Sequence, residues 1–336
     1  MISIGNSRQR CSLEHNYGAL FFSLVDYQNN LFTSNNPDKV IEFYNSFESR
    51  DQLIQWMKDR PKGVSHIHEV EGNKDIIVVI PTADYEGKYA RNCRDNIFKG
   101  IHMIFVESGE NPDPYFNYSH NCNVGIRKAL EYNPKWVVVS NDDMNKIDDI
   151  SILVNALSNL DNKNLTMVLT NSASYHSIPV KFAEPRKIFY AFMKIRGKQY
   201  RVKLTLWNKF KIKFFLPSRG ILWDIFYKKG VDCYSIASFG IFSTEFLKLF
   251  IEDEGNLFDE RFINATEDID LSLKLTIGRA DYDFVNYNID NYKNGTLGGT
   301  FSKELRDIAG DVLLNYLISN SNDTLHKALR DRISKQ

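Results

Sequence analysis

Two short acidic stretches carry the residue types best suited to chemistry. Asn141-Asp142-Asp143 follows Trp136-Val137-Val138-Val139-Ser140, an apolar, β-branched run that reads as a strand buried on both faces. Such a strand leaves its polar residues at its carboxyl end, the edge where open α/β sheets bind ligands. Oxygen donors held there suit a hard divalent cation, Mg2+ or Mn2+, bridging to phosphate. The plainer account is a turn and helix cap ahead of Ile147-Asp148-Asp149-Ile150. In the second stretch, Thr266-Glu267-Asp268-Ile269-Asp270, Thr266 is expected to cap a helix. That helix's first turn holds three acids, more than capping needs. A carboxylate at a helix start in a cleft is well placed as a general base; helix capping alone is the competing account.

The elements that must position these acids alternate along the chain. Ile76-Ile77-Val78-Val79-Ile80-Pro81-Thr82 reads as the first central strand, 87–98 as a helix, and Ile101-His102-Met103-Ile104-Phe105-Val106 as a second strand ending at Glu107. Residues 123–132 read as a second helix, and the Trp136 strand follows. This order is that of a parallel sheet with right-handed crossovers, and a nucleotide is the natural guest of its edge. No G-x-G-x-x-G and no Gly-Lys-Ser/Thr loop follows the first strand, against a Rossmann dehydrogenase or a P-loop NTPase. A diphosphate would then need another neutraliser, which a metal on Asp143 would supply. Further along, 146–160 reads as a helix, 165–170 as a strand and 244–251 as a helix. At the ends, 37–57 reads as one helix or a broken pair, and 301–319 and 324–333 as helices.

Charge is neutral overall, with 42 basic and 42 acidic residues among 336, yet it is unevenly placed. Residues 181–229 hold fourteen lysines and arginines against only Glu184 and Asp224. From Tyr200 to Phe214 apolar and basic residues nearly alternate. Period two suggests a hairpin around Trp207-Asn208, while Val202, Leu206, Phe210 and Phe214 also keep helical spacing. Either form gives a greasy and a cationic face, suited to an anionic membrane surface or a lipid-phosphate acceptor. A solvated edge that resists aggregation is the bland alternative, and nucleic acid is a weaker third reading. Cys11, Cys93, Cys122 and Cys233 show no metal-ligand or redox spacing. No apolar run reaches the roughly 18 residues of a spanning helix, and Met1-Ile2-Ser3-Ile4 does not open a signal peptide. The expectation is a cytoplasmic protein, at most at the inner face of the membrane.

Taken in order, Ile76–Thr82, Asn123-Val124-Gly125-Ile126-Arg127-Lys128-Ala129-Leu130, Val137–Asp143, and Phe258-Asp259-Glu260-Arg261-Phe262 followed by Glu267-Asp268-Ile269-Asp270-Leu271 resemble the family 2 inverting glycosyltransferases, in particular rhamnosyltransferase-like members. The resemblance covers about residues 74–300. It implies an α/β fold of GT-A type, the nucleotide-diphospho-sugar transferase fold, with a mixed, mostly parallel central sheet flanked by helices. Residues 1–73 would be a helical or irregular extension, 74–300 the catalytic domain with a basic insertion at 181–229, and 301–336 C-terminal helices. The implied activity moves a sugar from a nucleotide-sugar donor to an acceptor hydroxyl on a glycan or lipid-linked saccharide. Asp268 is the implied base, with Glu267 the alternative. Asp143 and Asn141 are implied for the metal, and Pro81, Thr82, Glu107, Asn123, Asp142 and Lys293 for the donor. Asn141 stands where the family usually has its first aspartate. Asn291-Tyr292-Lys293-Asn294-Gly295-Thr296 lacks the family's histidine, leaving Lys293 as the cation over the leaving group. Gly295-Thr296-Leu297-Gly298-Gly299-Thr300 suits a loop closing over donor. A sugar nucleotidyltransferase, or a non-catalytic membrane- or polyanion-binding module, are the rival readings.

Overall fold

The computed structural model describes residues 24–109, 113–171, 174–179, 189–195, 198–204, 230–236, 238–292 and 300–320. Residues 24–32 form helix α1, followed by α2 (Pro37–Asn45) and α3 (Arg50–Asp59). The 37–57 pattern is thus a broken pair. Asn36 accepts from the Asp38 N–H and Ser49 from the Gln52 N–H, so each helix has its own cap.

Next come β1 (Ser65–Val70), β2 (Asn73–Thr82), the short helix α4 (Lys88–Asn92) with a π-turn over Cys93–Ile97, β3 (Ile101–Ser108) and helix α5 (Tyr118–Leu130). They are followed by β4 (Trp136–Ser140), β5 (Met144–Lys146), α6 (Ile150–Ser158), β6 (Met167–Leu169), β7 (Ser174–Pro179), β8 (Phe189–Ile195), β9 (Lys198–Leu204), β10 (Gly230–Ser235) and β11 (Phe239–Ser243). Then α7 (Thr244–Glu254), α8 (Glu267–Ile277), β12 (Tyr282–Phe284), β13 (Ile289–Asn291) and α9 (Phe301–Asn320) complete the described chain.

Seven strands form one mixed sheet in the order β1-β3-β2-β4-β11-β6-β12. Strands β3, β2, β4, β6 and β12 run the same way, whereas β1 and β11 run against their neighbours. The molecule is therefore a mixed α/β protein with helices flanking a seven-stranded sheet. The alternation of the central strands sorts the two faces. Ile76, Val78 and Ile80 pack with Cys93, Ile97 and Leu153 on the α4 and α6 side. Ile77 and Val79 pack with Cys122, Ile126 and Leu247 on the α5 and α7 side. A third core joins α1–α3 to α9 through Phe43, Trp56, Leu305 and Leu313, and includes Ile269 and Leu273 of α8.

Three boundaries differ from the sequence reading. β1, inside the expected 1–73 extension, is an edge strand of the central sheet, pairing His66 with Glu107. The helix expected from 146 starts at Ile150, capped by Asp149, because Met144–Lys146 pairs instead with Ile289–Asn291. The helix expected at 123 starts at Tyr118, where Asn117 accepts from the His120 N–H. The segment 200–204 is strand, but its partner is the preceding Phe189–Ile195. The expected turn at Trp207-Asn208 and the helix 324–333 lie outside the described residues.

Gly125 sets how closely α5 approaches the sheet. A Cβ there would stand 2.3 Å from Val79 Cγ1 and 2.9 Å from Val106 Cγ2, and branched strand side chains cannot swing aside. Gly125→Val is expected to cost at least about 1–3 kcal/mol by overpacking, read as a lower denaturant midpoint at unchanged slope. A midpoint equal to that of the native chain would mean that helix and sheet are not in such contact.

Candidate functional site

The first central strand β2 connects to β3 on one side, and the chain then returns to place β4 on the other. That reversal between β2 and β4 is where open α/β sheets form a ligand crevice, beyond the strands' carboxyl ends. Register brings the right residues there: Thr82 pairs with Glu107 across β2 and β3, and Val79 with Val139 across β2 and β4. Three residues further on, the Thr82 hydroxyl donates to Asp142 Oδ2 at 2.8 Å. Asp142 and Thr82 are both buried, so this bond ties the two strand ends together across the crevice.

The crevice floor is fixed from behind by the π-turn after α4. Cys93 Sγ donates to the Asp142 carbonyl at 3.1 Å, and Asn92 Nδ2 to the Met144 carbonyl at 3.1 Å. Burial, then the Asp142 charge, pushes the Cys93 thiol well above its usual range, so it remains a donor and not a nucleophile. On the far side the β5–β13 ribbon brings the 289–292 segment against the acids, and the Tyr292 N–H donates to the Asp143 carbonyl at 2.8 Å. The Tyr89 and Tyr292 rings lie 5.9 Å apart there. Lys293 and residues 295–299, including the expected closing loop, lie outside the described residues.

The second acidic stretch meets the first through Tyr118, the first residue of α5. Its hydroxyl donates to Asn141 Oδ1 at 2.8 Å. Burial, then Cys122, Glu267 and Asp268, raise the Tyr118 phenol well above its ordinary value. Glu267 also acts on the buried Cys122 thiol. The Tyr118 N–H donates to the Ile263 carbonyl at 2.8 Å, so this residue lies between the end of β4 and the chain leading into α8. Within the first turn of α8 the acids differ. Asp270 is buried and its carboxylate lies 3.4 Å from Lys274 Nζ, an i,i+4 pair that accounts for it structurally. Glu267 is 9% exposed, whereas Asp268 is more open to solvent.

Thr266 does not cap α8 in the way its residue type suggests. It adopts a left-handed φ of 77° and its side chain makes no capping bond. For a β-branched residue this conformation costs on the order of 1–3 kcal/mol. Helix α9 presses on this turn: a Cβ on Gly310 would stand 2.5 Å from the Ala265 carbonyl oxygen and 2.8 Å from Thr266 Oγ1.

Two expected donor residues already have protein partners. Glu107 accepts from the Tyr85 N–H at 2.9 Å and lies 2.8 Å from His68 Nε2, while His68 stacks on Tyr85 at 4.1 Å. Asn123 is buried on the 258–260 turn. Its amide donates to the Phe258 carbonyl and to Glu260 Oε1, and accepts from the Phe258 N–H. It holds that turn in place ahead of α8. Pro81 sits at the β2 end beside Thr82 and is buried. Sequence reading missed Tyr118, His68 and Tyr292. Asn117 signals a helix start just before Tyr118, but not the tyrosine's place at the site.

Among the described residues no group of three or more His, Cys, Asp or Glu is arranged to hold a metal ion. The oxygens of Asn141 and Asp142 already accept from Tyr118 and Thr82. No helix among the described residues is long and apolar enough to cross a membrane. No protein-family model matches the chain, and no curated protein matches it.

Replacing glycine by alanine inside a helix ordinarily stabilises by about 1 kcal/mol. Gly310→Ala is expected to do the opposite, lowering stability by about 1–3 kcal/mol through the clash with the 265–266 turn. Chemical denaturation decides the sign, and a stabilised variant would show that α9 does not bear on this turn.

Proposed function

We propose that the chain is an inverting glycosyltransferase of GT-A type, transferring a sugar from a nucleoside-diphosphate donor to an acceptor hydroxyl. The observation that supports this reading is the place of Tyr118, whose hydroxyl donates to Asn141 at the end of β4 while its N–H donates to the Ile263 carbonyl, just ahead of the Glu267–Asp268 helix start. A crevice at the reversal of an α/β sheet, with acids from both its floor and its wall, is what a diphosphate donor and a deprotonated acceptor require together. The absence of a glycine-rich phosphate loop after β2 favours this over a sugar nucleotidyltransferase.

Each residue then has a separate task. Thr82 orients Asp142 at the crevice floor, beside Pro81. Tyr118, kept protonated, orients the Asn141 amide by donating to its oxygen. Asp268 is the base, since it is more solvent-reachable than Glu267 and so can meet an incoming hydroxyl. It takes the hydroxyl proton as the acceptor oxygen bonds to the anomeric carbon. The bond from that carbon to the diphosphate oxygen breaks, and its electron pair leaves with the phosphate. One displacement from the opposite face inverts the centre. Asp143, with the Asn141 carbonyl oxygen, would hold a Mg2+ or Mn2+ ion. Such an ion supplies neutralisation of the charge on the departing diphosphate. The acceptor class is a saccharide or a lipid-linked saccharide.

General-base assistance is typically worth about 10²- to 10⁴-fold. Asp268→Asn is therefore expected to lower turnover by roughly that range while nucleoside-diphosphate affinity, measured by calorimetry, stays near native. Equal loss of affinity and turnover would reassign Asp268 to binding. Asp143→Ala is expected to weaken the Mn2+ dependence of thermal stabilisation by nucleoside diphosphates. A ligand at about 100 times its Kd stabilises a native chain by about 2.7 kcal/mol, so the effect is measurable. A metal titration unchanged by the substitution would remove Asp143 from the ion site.

A further inference from the structure

Asn141 is held at three of its four polar groups. Its N–H donates to the Ser238 carbonyl at 2.9 Å, its carbonyl accepts from the Ser140 hydroxyl at 2.9 Å, and its side-chain oxygen accepts from the Tyr118 hydroxyl at 2.8 Å. Among the described residues nothing accepts from the fourth group, Nδ2, and that nitrogen is not sealed from solvent. The direction of the Tyr118 bond decides which end of the amide is left over. A tyrosine hydroxyl has one proton to give, and the Cys122 thiol, one turn further along α5, is also within its hydrogen-bonding reach. Sulfur is a weak acceptor, so the proton goes to the amide oxygen and the NH2 group becomes the open end of the residue.

We infer that Asn141 Nδ2 is a hydrogen-bond donor to a phosphate oxygen of a bound diphosphate, and that Tyr118 is its positioning residue. That the ligand is a nucleoside diphosphate rests on the sugar-transfer reading. The neighbouring acids narrow the chemistry of the contact. Ionised Asp142 and Asp143 can only accept, so a hydroxyl group on a ligand could bond to either of them. A phosphate oxygen only accepts, and within the Asn141–Asp143 triplet its one side-chain donor is the Asn141 amide. An aspartate at 141 would accept from Tyr118 equally well and would offer a cation a charged oxygen; it could not donate. The amide oxygen has a second lone pair, so it can face an ion while the nitrogen donates. The plainer account is that asparagine spares the strand end a third negative charge.

The test measures binding of uridine, guanosine, cytidine and adenosine diphosphates to the full chain by calorimetry, with Mn2+ present. Asn141→Asp keeps an oxygen, loses the donor and adds a charge. Asn141→Ala loses oxygen and donor and adds no charge. The donor is the one group that both variants lack, so both are expected to bind the preferred diphosphate about tenfold or more weaker. Tyr118→Phe, which keeps the amide but frees it to turn, is expected to lose about two- to tenfold. Variants with a lowered thermal midpoint but native affinity would support the plainer account and overturn the inference. So would Asn141→Asp binding the diphosphate more tightly, Tyr118→Phe binding it at native affinity, or a native chain that binds none of the four. Diphosphate binding without sugar transfer would instead count against the sugar-transfer reading and leave the donor role standing.

Discussion

The structure depends on the complete burial of β4. All five residues of Trp136–Ser140 are buried, with β2 hydrogen-bonded on one side and β11 on the other. Its side chains feed both cores, Trp136 and Val138 into one, Val137 and Val139 into the other. A register slip of one residue would exchange these two sets, and the tightly filled cores could not accept that exchange. The position of the polar residues that follow is therefore fixed by apolar packing before any polar contact forms. Asn141 begins where the strand's burial ends, its N–H held by the Ser238 carbonyl at 2.9 Å.

From that fixed point the local polar contacts become understandable as consequences of burial. Asp142 is too enclosed to rely on water, and the Thr82 hydroxyl provides a bond in its place. The Asn141 amide receives the Tyr118 hydroxyl. Behind them, where α4 passes into the π-turn, Cys93 and Asn92 donate to the Asp142 and Met144 carbonyl groups, on either side of Asp143. Such a widened turn inside a helix is common where a side chain must be aimed.

Much of the sheet was legible because apolar runs of β-branched residues leave little choice. Ile76–Ile80, Ile101–Val106 and Val137–Val139 were readable as central strands for that reason. The elements that escaped have weak or contrary patterns. Ser65–Val70 alternates polar with half-exposed residues and becomes a strand only because β3 offers it an edge. Met144–Lys146 lies next to a helix-like pattern and is captured by Ile289–Asn291, about 140 residues away, a pairing that no local window contains. Thr266 stands at the cap position that its residue type suggests, but its left-handed backbone and missing capping bond, in a turn closely approached by Gly310, are not encoded in residue type. At the site, the strand-end triplet and the helix-start acids were visible as motifs, but the tyrosine between them was not, since nothing in its spacing connects it to either.

The sign of the local field bears on how such a crevice could work. The donors on Asn141 and Asp142 are hydroxyl groups, which fix orientation without adding positive charge. With burial the larger cause, Glu267 and Asp268 also raise the Tyr118 phenol, so these two carboxylates add negative potential there. The buried Cys93 thiol responds in the same direction to Asp142 and Asp143. Under the sugar-transfer reading a diphosphate entering this field would be repelled unless positive charge came with it. An acidic crevice of this kind therefore favours a donor arriving as its complex with a divalent ion over the bare anion. The acids that discourage the bare anion are the same ones that would receive the cation and the acceptor's proton.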